Sequence, residues 1–561
     1  MSDFNPTLLE PTDPHHNEAA MYPTLTPSQI SRIAAIGRVR NVTAGEVLVE
    51  AGERTSRLFV VITGLIQIVQ FVDGQERIVA TFEPGMFTGE ATMLSGRRGI
   101  AQIRAGESGE VIEVDRESLL TLVQADSELS DILIRAFILR RVQLIAQGIS
   151  DVLLAGSIHC AGTLRIKEFL SRNGHPYSFI DLDRHTHVQD LLDSLHVDLK
   201  DMPVVICRGR TILRNPSNEE IADCLGFNEA IDKSHLRDLI IVGAGPSGLA
   251  AAVYGASEGL DVLVVESDSP GGQAGSSSKI ENYLGFPTGI SGQELAARAY
   301  SQAQKFGAQL IIAKGATKLS CDRRPYTLQI DDGTRLPARA IIIATGAEYR
   351  RLPLDNLSQF EGTGVYYGAT FIEAQLCNGE EVIVVGGGNS AGQAAVFLAQ
   401  TTRRVHLLVR SDGLSQTMSR YLVRRLEQNP SIEIRTQTEI VALEGDSNLE
   451  RVRWRNVQTS SEETHNIRHV FMMTGAVPTT QWLDGCVVQD SNGFIKTGSD
   501  LTPEDLLAAR WPLARPPYLL ETSLPGVFAV GDVRGGSLKR VASAVGEGSI
   551  AVAFVHKVLH D

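Results

Sequence analysis

The chain has 561 residues, and its 66 acidic and 52 basic side chains give a formal net charge of −14. A chain of this length is expected to divide into roughly three or four domains, and the acidic balance argues against nucleic acid as a partner. Residues 1–18 lack the basic start and apolar centre of a signal peptide, and the longest apolar stretch, 58–72, is too short and too polar to span a bilayer.

The six cysteines are scattered along the chain. They show neither the spacing of metal ligands nor a CxxC pair. We therefore expect no metal site, and thiols that stay reduced in the cytoplasm.

The N-terminal quarter changes character at residue 23. Residues 1–22 carry prolines and a histidine pair without periodicity, which predicts a disordered tail. Over residues 23–150, short apolar runs alternate with corner glycines, as in Thr63-Gly64 and Asp73-Gly74. This spacing predicts a small roll of short β-strands.

The roll contains the pair Gly89-Glu90 and, further along, Arg97-Arg98-Gly99. This segment resembles the phosphate-binding cassette of the cyclic-nucleotide-binding domain family. The resemblance implies that Glu90 binds a ribose 2′-hydroxyl, but the family's phosphate-clamping arginine falls on Gly99. The planar guanidinium of an arginine can make two parallel hydrogen bonds to a phosphate. Here Arg97 and Arg98 lie close to the family's arginine position but out of register with it. Two alternatives stay open: a cyclic-nucleotide site formed by Gly89, Glu90 and Arg98, or a relic pocket used for packing.

A strongly apolar stretch with helical spacing closes the roll, from Leu129 to Ile145. In transcription factors related to this family, the corresponding helix pairs across a dimer and a DNA-reading helix-turn-helix follows. No such basic segment follows here. The resemblance therefore implies a homodimer that does not bind DNA.

Residues 153–231 form a separate unit. The helix after Cys160, a following strand, a helix over Val188–Leu195 and the pair Met202-Pro203 before an apolar strand resemble the thioredoxin/glutaredoxin fold. The resemblance implies a cis-proline at Met202-Pro203 and a nucleophilic cysteine at Cys160, where a helix start stabilises a thiolate. Thr163 occupies the position of the second cysteine, so no internal disulfide is expected.

The three cysteines of this unit receive different predictions. Cys160 is the candidate catalytic residue, acting as a single thiol, with a thiol of no redox role as the alternative. Cys207 lies in an apolar strand and Cys224 in a short helix. Both are predicted to be core residues.

A glycine-rich turn begins the C-terminal half. The apolar run Leu239–Val242 predicts a buried parallel strand, and it leads into Gly243-x-Gly245-x-x-Gly248 and an alanine-rich helix. The first glycine permits a tight turn, the second lets the backbone approach a pyrophosphate, and the third lets the helix pack closely on the strand. A second strand ends in Glu266, near the spacing expected of an acid that binds a ribose.

Further motifs follow in order. They are Ser269–Ala274, Lys279–Pro287, Ile341–Gly346, Gly526–Val533 and Lys539–Gly548. From residue 237 onward the chain resembles the bacterial thioredoxin reductase family, which implies an FAD-binding domain of the Rossmann type over 237–350 and 479–561. Besides the glycine loop and Glu266, the FAD-binding positions implied are Gly272, Gln273, Asn282, Thr345, Gly346, Gly531, Asp532, Lys539, Arg540 and Val541.

The resemblance implies a second Rossmann-like domain, for NAD(P)H, inserted over 355–478. Its glycine loop carries an alanine in place of the third glycine, and the next strand ends at Arg410 without an acid. An acid would repel a 2′-phosphate, whereas an arginine pairs with it, so NADPH is favoured and NADH is the alternative. The implied NAD(P)H-binding positions are Gly386, Gly388, Asn389, Ser390, Ala391 and Arg410.

The chain departs from the reductase family at Gly368-Ala-Thr-Phe371. Thioredoxin reductases carry Cys-Ala-Thr-Cys here, the disulfide that takes electrons from the reduced flavin. Without these thiols the chain lacks the relay, and Cys377, the nearest cysteine, is predicted to be structural. Reduction of thioredoxin by the family mechanism is therefore not expected.

Together these features predict a multidomain protein: a β-roll, a thioredoxin-like α/β unit and two dinucleotide-binding domains. The predicted function is that of a cytoplasmic, homodimeric, FAD-dependent NAD(P)H oxidoreductase that the roll regulates. Its unidentified acceptor is a protein disulfide, an iron–sulfur protein or a quinone. The alternative is a cyclic-nucleotide or redox sensor in which the flavoprotein part acts as a reporter.

Overall fold

The computed structural model describes residues 19–53, 57–72, 75–89, 93, 97–99, 101–146, 150–183, 201–208, 211–414, 418–446 and 448–560. Most of the predicted tail, Glu90 and the predicted helix Val188–Leu195 lie outside the described residues. The end of the predicted tail is packed, because the hydroxyl of Tyr22 donates to Gln143 Oε1 at 2.8 Å.

The N-terminal unit is a roll of two antiparallel sheets with strand orders β1-β7-β3 and β2-β6-β4-β5. Leu58 and Val60 of its third strand face one apolar core, and Phe59 and Val61 face the other, since successive strand residues point to opposite faces. The strands are β1 (Arg38–Val42), β2 (Val47–Val49), β3 (Arg57–Val61), β4 (Leu65–Val72), β5 (Gln75–Phe82), β6 (Gln102–Glu107) and β7 (Gly109–Asp115). The helices are α1 (Pro27–Ala34), α2 (Arg116–Ala125) and α3 (Ser127–Ala146).

The next unit has the strand order β11-β10-β8-β9. Strands β8 and β9 are parallel, and β10 runs antiparallel to both β8 and β11. The peptide bond Met202–Pro203 is cis, as predicted. The elements are β8 (Val152–Gly156), α4 (Ala161–Arg172), β9 (Ser178–Asp181), β10 (Val204–Cys207), β11 (Thr211–Arg214) and α5 (Asn218–Leu225).

The FAD-binding half is built on parallel strands in the order β14-β13-β12-β17, with β28 beside β17 and the antiparallel strands β16 and β15 beyond it. The central strands are buried on both faces, as is usual for parallel sheets covered by helices. Its strands are β12 (Arg237–Val242), β13 (Val262–Val265), β14 (Gln309–Ile311), β15 (Ala316–Ser320), β16 (Tyr326–Ile330), β17 (Arg335–Ile343) and β28 (Val527–Ala529). Its helices are α6 (Pro246–Ser257), α7 (Gly272–Gly275), α8 (Gly292–Lys305), α13 (Pro503–Ala508) and α14 (Val541–His560).

The inserted half has a similar arrangement of strands. Its parallel sheet has the order β19-β26-β20-β21-β22, and its antiparallel sheet has the order β23-β24-β25. A two-stranded connector, β18 (Ala347–Tyr349) with β27 (Ala476–Pro478), joins the halves. The strands are β19 (Val365–Tyr366), β20 (Glu381–Val385), β21 (Arg404–Val409), β22 (Ile432–Thr436), β23 (Thr438–Glu444), β24 (Arg451–Asn456), β25 (Glu462–His465) and β26 (Val470–Met472). The helices are α9 (Leu357–Phe360), α10 (Phe371–Leu376), α11 (Asn389–Leu398) and α12 (Arg420–Gln428).

Helix α14 is, by length and composition, the one described helix that could cross a bilayer. Its residues Ala551, Val552 and Val555 are buried in the apolar core that also contains Leu239 and Ile241 of β12. A core helix passes the same test of length and composition. The expected absence of a bilayer span stays a prediction.

One pair of cysteines corrects the sequence analysis. Cys321, just after β15, and Cys486 form a disulfide with their Cα atoms 5.9 Å apart. The expectation of reduced thiols throughout is therefore wrong at this pair, and Cys160, Cys207, Cys224 and Cys377 are free thiols. Because disulfides are rare in reducing compartments, the pair counts against the predicted cytoplasmic location, which stays a prediction.

Candidate active site

The first glycine loop turns tightly between β12 and α6. Gly243 has a φ of +105°, and a Cβ there would lie 2.4 Å from the carbonyl oxygen of Ala344. A Cβ on Gly248 would lie 1.9 Å from the Gly243 carbonyl oxygen, so only glycine allows this close packing of α6. Above Gly245 the nearest protein atom to a Cβ is Gly272 Cα, at 3.9 Å. The loop therefore combines a tight turn with open space over its middle glycine.

Glu266 follows β13 and is only 8% exposed. Its carboxylate accepts the N–H groups of Ala244 at 2.6 Å and Asp268 at 3.0 Å. Burial raises the pKa of this carboxyl above its ordinary value. Each oxygen keeps a lone pair beyond its backbone partner, so the carboxylate can accept further hydrogen bonds.

Asp532 lies on a short turn between β28 and α14. Burial raises the pKa of its carboxyl, and Lys539, whose Nζ is 4.0 Å away, opposes the rise. Glu547 on α14 fixes the turn, because it accepts the N–H of Gly531 at 2.7 Å and pairs with Arg534 at 2.6 Å. The turn thus holds a partly buried acid beside the start of a long helix.

The second glycine loop joins β20 to α11. Gly386 has a φ of +146°, and a Cβ there would lie 2.2 Å from the carbonyl oxygen of Met473 and 3.1 Å from Cβ of the buried Ala391. Asn389 Oδ1 accepts the N–H of Ser419 at 2.8 Å, which anchors the start of the helix. Arg410 is exposed just beyond the end of β21.

Both glycine loops open into one cavity of about 910 Å³. The predicted site residues that line it are Gly243, Gly245, Glu266, Gly272, Gln273, Asn282, Thr345, Gly346, Gly388, Asn389, Ser390, Asp532, Lys539, Arg540 and Val541. Among the predicted FAD and NAD(P)H positions, those that the lining does not include are Gly248, Gly386, Ala391, Gly531 and Arg410. The first four of these shape or pack the loop backbones, and Arg410 lies at an exposed strand end.

Tyr349 is a cavity residue that the sequence analysis missed. It ends the connector strand β18 and lines the cavity together with Ser390 of the second loop. Burial raises the pKa of this phenol. The connector strand and the second loop therefore both contribute to this part of the cavity wall. The only sequence signal is its position just after Ala344-Thr345-Gly346.

The turn that replaces the redox disulfide borders the same cavity. Gly368 lines it, and the nearest protein atom to a Cβ on Gly368 is Ser276 Cβ at 3.8 Å. Phe371, at the other replaced position, is 70% exposed at the start of α10. Cys377 is fully buried, its thiol donates to the Glu373 carbonyl at 3.4 Å, and burial raises its pKa to about 12. A structural role for this cysteine agrees with these contacts.

Comparison with known proteins agrees with this site. The sequence profile of the family described as pyridine nucleotide-disulphide oxidoreductase matches residues 237–548, and that of the cyclic nucleotide-binding domain matches residues 39–126. The chain belongs to the pyridine nucleotide-disulphide oxidoreductase family. It is thus an FAD-dependent oxidoreductase of the thioredoxin reductase-like branch, as the sequence predicts.

Thioredoxin reductases from Treponema pallidum and Ureaplasma parvum are similar to this family member. The first is 34% identical over 315 residues, which is 56% of this chain and 94% of the relative. The second is 32% identical over 323 residues, 57% of this chain and 96% of the relative. The crystal structure of Lactococcus lactis thioredoxin reductase in its FR conformation has a TM-score of 0.52 at 26% identity, covering 58% of this chain and 99% of that chain.

FAD and NADPH are the cofactors of this family, and the cavity fits them. At Gly245 a Cβ would enter open space, and at Gly346 and Gly388 it would meet no protein atom within 4 Å. The N-termini of α6 and α11 follow the two glycine loops, where backbone N–H groups and the helix dipole favour phosphates. The cavity therefore has room and backbone N–H groups for the phosphates of both predicted cofactors.

Two described residues of the cassette, Gly89 and Arg97, make contacts within the protein. Glu90 lies outside the described residues, and the carbonyl of Gly89 accepts from Arg140 Nη1 at 2.8 Å. Arg97 is buried and donates to the carbonyl of Asn173 and the hydroxyl of Tyr300 at 3.2 and 3.1 Å. Both acceptors belong to other units of the chain, so the hydrogen bonds of Arg97 join the roll to those units.

Arg98, the candidate phosphate ligand, also faces another unit. A Cβ on Gly226, just after α5, would lie 2.7 Å from Arg98 Nε. Arg98 lines a second cavity, of about 460 Å³, together with residues of β10, β11 and α5. The structure thus places this arginine against the thioredoxin-like unit. A nucleotide contact of Arg98 stays a prediction.

Cys160 is a free, partly exposed thiol at the N-cap of α4. It is not among the residues that line the 910 Å³ cavity. Its helix nevertheless packs against the turn without thiols: Leu164 shares an apolar cluster with Tyr366 and Ala369. A Cβ on Gly362 would lie 2.7 Å from the Cβ of Ala161. The structure therefore packs the helix that begins after Cys160 against the segment that replaces the family's disulfide.

Proposed function

We propose that this family member carries electrons from NADPH through FAD to an acceptor outside the flavoprotein module. The observation that supports this is the single cavity, which the two glycine loops and the turn at Gly368 line together. No cysteine is found among the described residues of that lining. An external acceptor that approaches at Gly368 takes the place of the missing internal disulfide.

The residues of the chain bind and orient the two cofactors. We assign the FAD pyrophosphate to the first loop at Gly245, its ribose to Glu266 and its ribityl chain to Asp532. We assign the NADPH pyrophosphate to the second loop at Gly388. When bound, FAD accepts a hydride from the nicotinamide and releases the electrons singly or as a pair. The residues that line this one cavity would hold both cofactors.

The choice of NADPH over NADH is assigned to Arg410. The neighbouring arginines are engaged in ion pairs, Arg403 with Glu381 at 3.1 Å and Arg404 with Glu433 at 3.3 Å. Arg410 follows the strand end where an acid would select NADH. Its guanidinium suits a 2′-phosphate.

The experiment is an anaerobic acceptor screen on the full chain with NADPH. Ferricyanide tests one-electron transfer, menadione tests quinones, and an aromatic disulfide with oxidised thioredoxin tests thiol chemistry. We expect NADPH to bleach the flavin absorbance, and ferricyanide or menadione, but neither disulfide, to support turnover. Fast disulfide reduction that survives Cys160→Ser contradicts the proposal.

The same screen separates a second candidate, in which Cys160 is a relay. The packing of α4 against the turn at Gly368 favours it. In that case the chain reduces a protein disulfide, and Cys160→Ser abolishes this activity while the bleaching by NADPH persists. Bleaching without turnover on any acceptor favours the sensor alternative.

We propose a homodimer paired through α3, no DNA-binding role, and a regulatory or docking role for the roll. We retain the division into units at 23–150, 153–231, 237–350 with 479–561, and 355–478. Size-exclusion chromatography with light scattering tests the dimer, and a monomeric mass at micromolar concentration contradicts it.

A further inference from the structure

Two free thiols meet in the thioredoxin-like unit, away from the cofactor cavity. Cys207 is the last residue of β10 and is 1% exposed, whereas Cys224 on α5 is partly exposed. Both side chains belong to one apolar cluster of this unit and line the same cavity. Strand and helix positions alone predict two core cysteines and do not show that they lie together.

The surroundings make the two thiols unequal. The neighbouring thiol of Cys207, the charge of Arg208 and the hydroxyl of Thr211 lower the pKa of Cys224, although burial opposes this. The neighbouring thiol of Cys224 and burial raise the pKa of Cys207. A partly exposed thiol that ionises readily, beside a buried thiol, is the arrangement of an attacking and a resolving cysteine.

The charged groups facing this pair come from several elements. Arg208 is held in place, since its Nη2 donates to the carbonyl of Leu225 at 3.2 Å and its Nε to Asp151 at 3.4 Å. The other charged groups in the cavity wall are Arg98 from the roll, and Glu220 and Asp223 from α5. Two guanidinium groups and two carboxylates around one opening match a small zwitterionic ligand.

The cavity gives a reactant access to the pair. Its volume is about 460 Å³, and Cys224 and Cys207 both line it. Cys377 shows the contrast, because it is also free but fully buried and has a pKa raised to about 12. The access and the paired thiols together distinguish this position from a packing cysteine.

We propose that Cys224 and Cys207 form a dithiol–disulfide pair that exchanges with a small zwitterionic disulfide bound in this cavity. The Cys224 thiolate attacks one sulfur of the disulfide, which forms a mixed disulfide and releases the first small thiolate, which takes up a proton. Cys207 then loses its proton, and its sulfur attacks that of Cys224 and releases the second small thiol. The protein pair is oxidised by two electrons, and the small disulfide is reduced to two thiols.

The test uses the intact full chain and oxidised glutathione as the probe. The protein is incubated anaerobically, quenched in acid, alkylated and digested without reduction for mass spectrometry. We expect a peptide that links Cys207 to Cys224, and a decrease in alkylatable thiols from the four free cysteines to two. Cys207→Ala should stop at a glutathione adduct on Cys224, and Cys160→Ser, the matched control, should leave the link unchanged.

A second measurement does not depend on how the variants fold. In the wild type, alkylation of Cys224 followed against pH should have a midpoint below about 8.5, the value of a free cysteine. Absence of both the link and the adduct in folded wild type overturns the proposal, as does an alkylation midpoint at or above that value. Modification confined to Cys160 also overturns it.

Discussion

At the scale of single residues, the open space above Gly245 governs FAD binding. We predict that Gly245→Val loses the flavin, because a side chain would enter the space where the pyrophosphate must approach the backbone. The measurement is the ratio of flavin absorbance to protein absorbance after purification. Circular dichroism should show that the fold persists.

The control for this prediction is Gly259→Asn. Gly259 follows the same helix, has a φ of +89° and would meet no protein atom within 4 Å, and asparagine tolerates that conformation. This variant should keep its full complement of flavin. A yellow Gly245→Val protein with normal flavin content would refute the assignment of the loop.

The replaced cysteines give a second prediction at the residue scale. We predict that the double variant Gly368→Cys with Phe371→Cys gains NADPH-dependent reduction of an aromatic disulfide, because Gly368 borders the cavity and has room for a side chain. Initial rates on the disulfide are the measurement, and the double serine variant is the matched control. A disulfide at 368–371 that forms but is not reduced by NADPH would show that the turn is out of reach of the flavin.

Several single residues are predictable from local motifs. Gly243 and Glu266 are predicted from the spacing of one short motif, and Asp532 is predicted from the resemblance of its segment to the reductase family. Tyr349 escapes because it and Ser390 line one cavity wall only through the orientation of two halves of the chain. Contacts of that kind depend on packing, which no local pattern records.

At the scale of elements, the packing of α4 against α10 brings two acids together. Burial and the nearby carboxylate of Glu373 raise the pKa of Glu168 to about 7. Arg172, 3.6 Å from Glu168, opposes the rise and also pairs with Asp268 at 3.0 Å. The contact between these helices is therefore sensitive to pH.

The sign of this effect follows from proton linkage. The folded protein keeps the proton on Glu168 up to about pH 7, whereas the unfolded chain loses it near pH 4.3. The stability that this group contributes is thus complete below that pH and decreases as the pH rises through 7. The side chain is still 36% exposed, so solvent weakens the effect.

We predict that Glu168→Gln raises the melting temperature at pH 8 by roughly 2 °C and has little effect at pH 5, since about 1 kcal/mol shifts the melting temperature of a domain by roughly 2–4 °C. Differential scanning fluorimetry at both pH values is the measurement. Glu504→Gln, at an exposed position, is the control and should show no difference. An equal gain at pH 5 and pH 8 would exclude the acid pair as the cause.

At the scale of the whole molecule, Arg97 is the residue where three units meet. It comes from the roll, its guanidinium lies 4.3 Å from the centre of the Phe227 ring, and it donates to Asn173 and to Tyr300 of the FAD-binding half. We predict that Arg97→Ala costs about 2–4 kcal/mol at this junction, because a charged hydrogen-bonding group and its stacking are lost together. Arg97→Lys should recover little of this lost stability, since the ammonium group of lysine lacks the planar, multiply donating geometry of a guanidinium.

Limited proteolysis is the measurement for the Arg97 variants. Faster cleavage between the roll and the rest of the chain is expected, with flavin content unchanged. Arg77→Ala, at an exposed position of the same roll, is the control. Cleavage of Arg97→Ala at the wild-type rate would show that the units dock by other contacts.

The fold is predictable to different degrees in its four units. The dinucleotide-binding halves and the thioredoxin-like unit follow from strand, glycine and proline motifs within short stretches of chain. The disulfide between Cys321 and Cys486 joins positions 165 residues apart. The side chain of Arg97 contacts residues of units that are distant in sequence. These features arise from assembly, so a sequence read segment by segment does not show them.

The roll itself leads to the last prediction, which concerns cyclic nucleotides. Arg97 and Arg98 both face other units, and Gly99 offers no charge where the family has its arginine. A charged contact to phosphate is worth roughly 1.5–3 kcal/mol, so its absence weakens binding roughly 10- to 150-fold. We predict that calorimetry finds weak or undetectable binding of cyclic AMP, and that Gly99→Arg tightens it by a factor in that range. Submicromolar binding to the wild type that Arg98→Ala abolishes would instead show that Arg98 leaves the thioredoxin-like unit to bind the nucleotide.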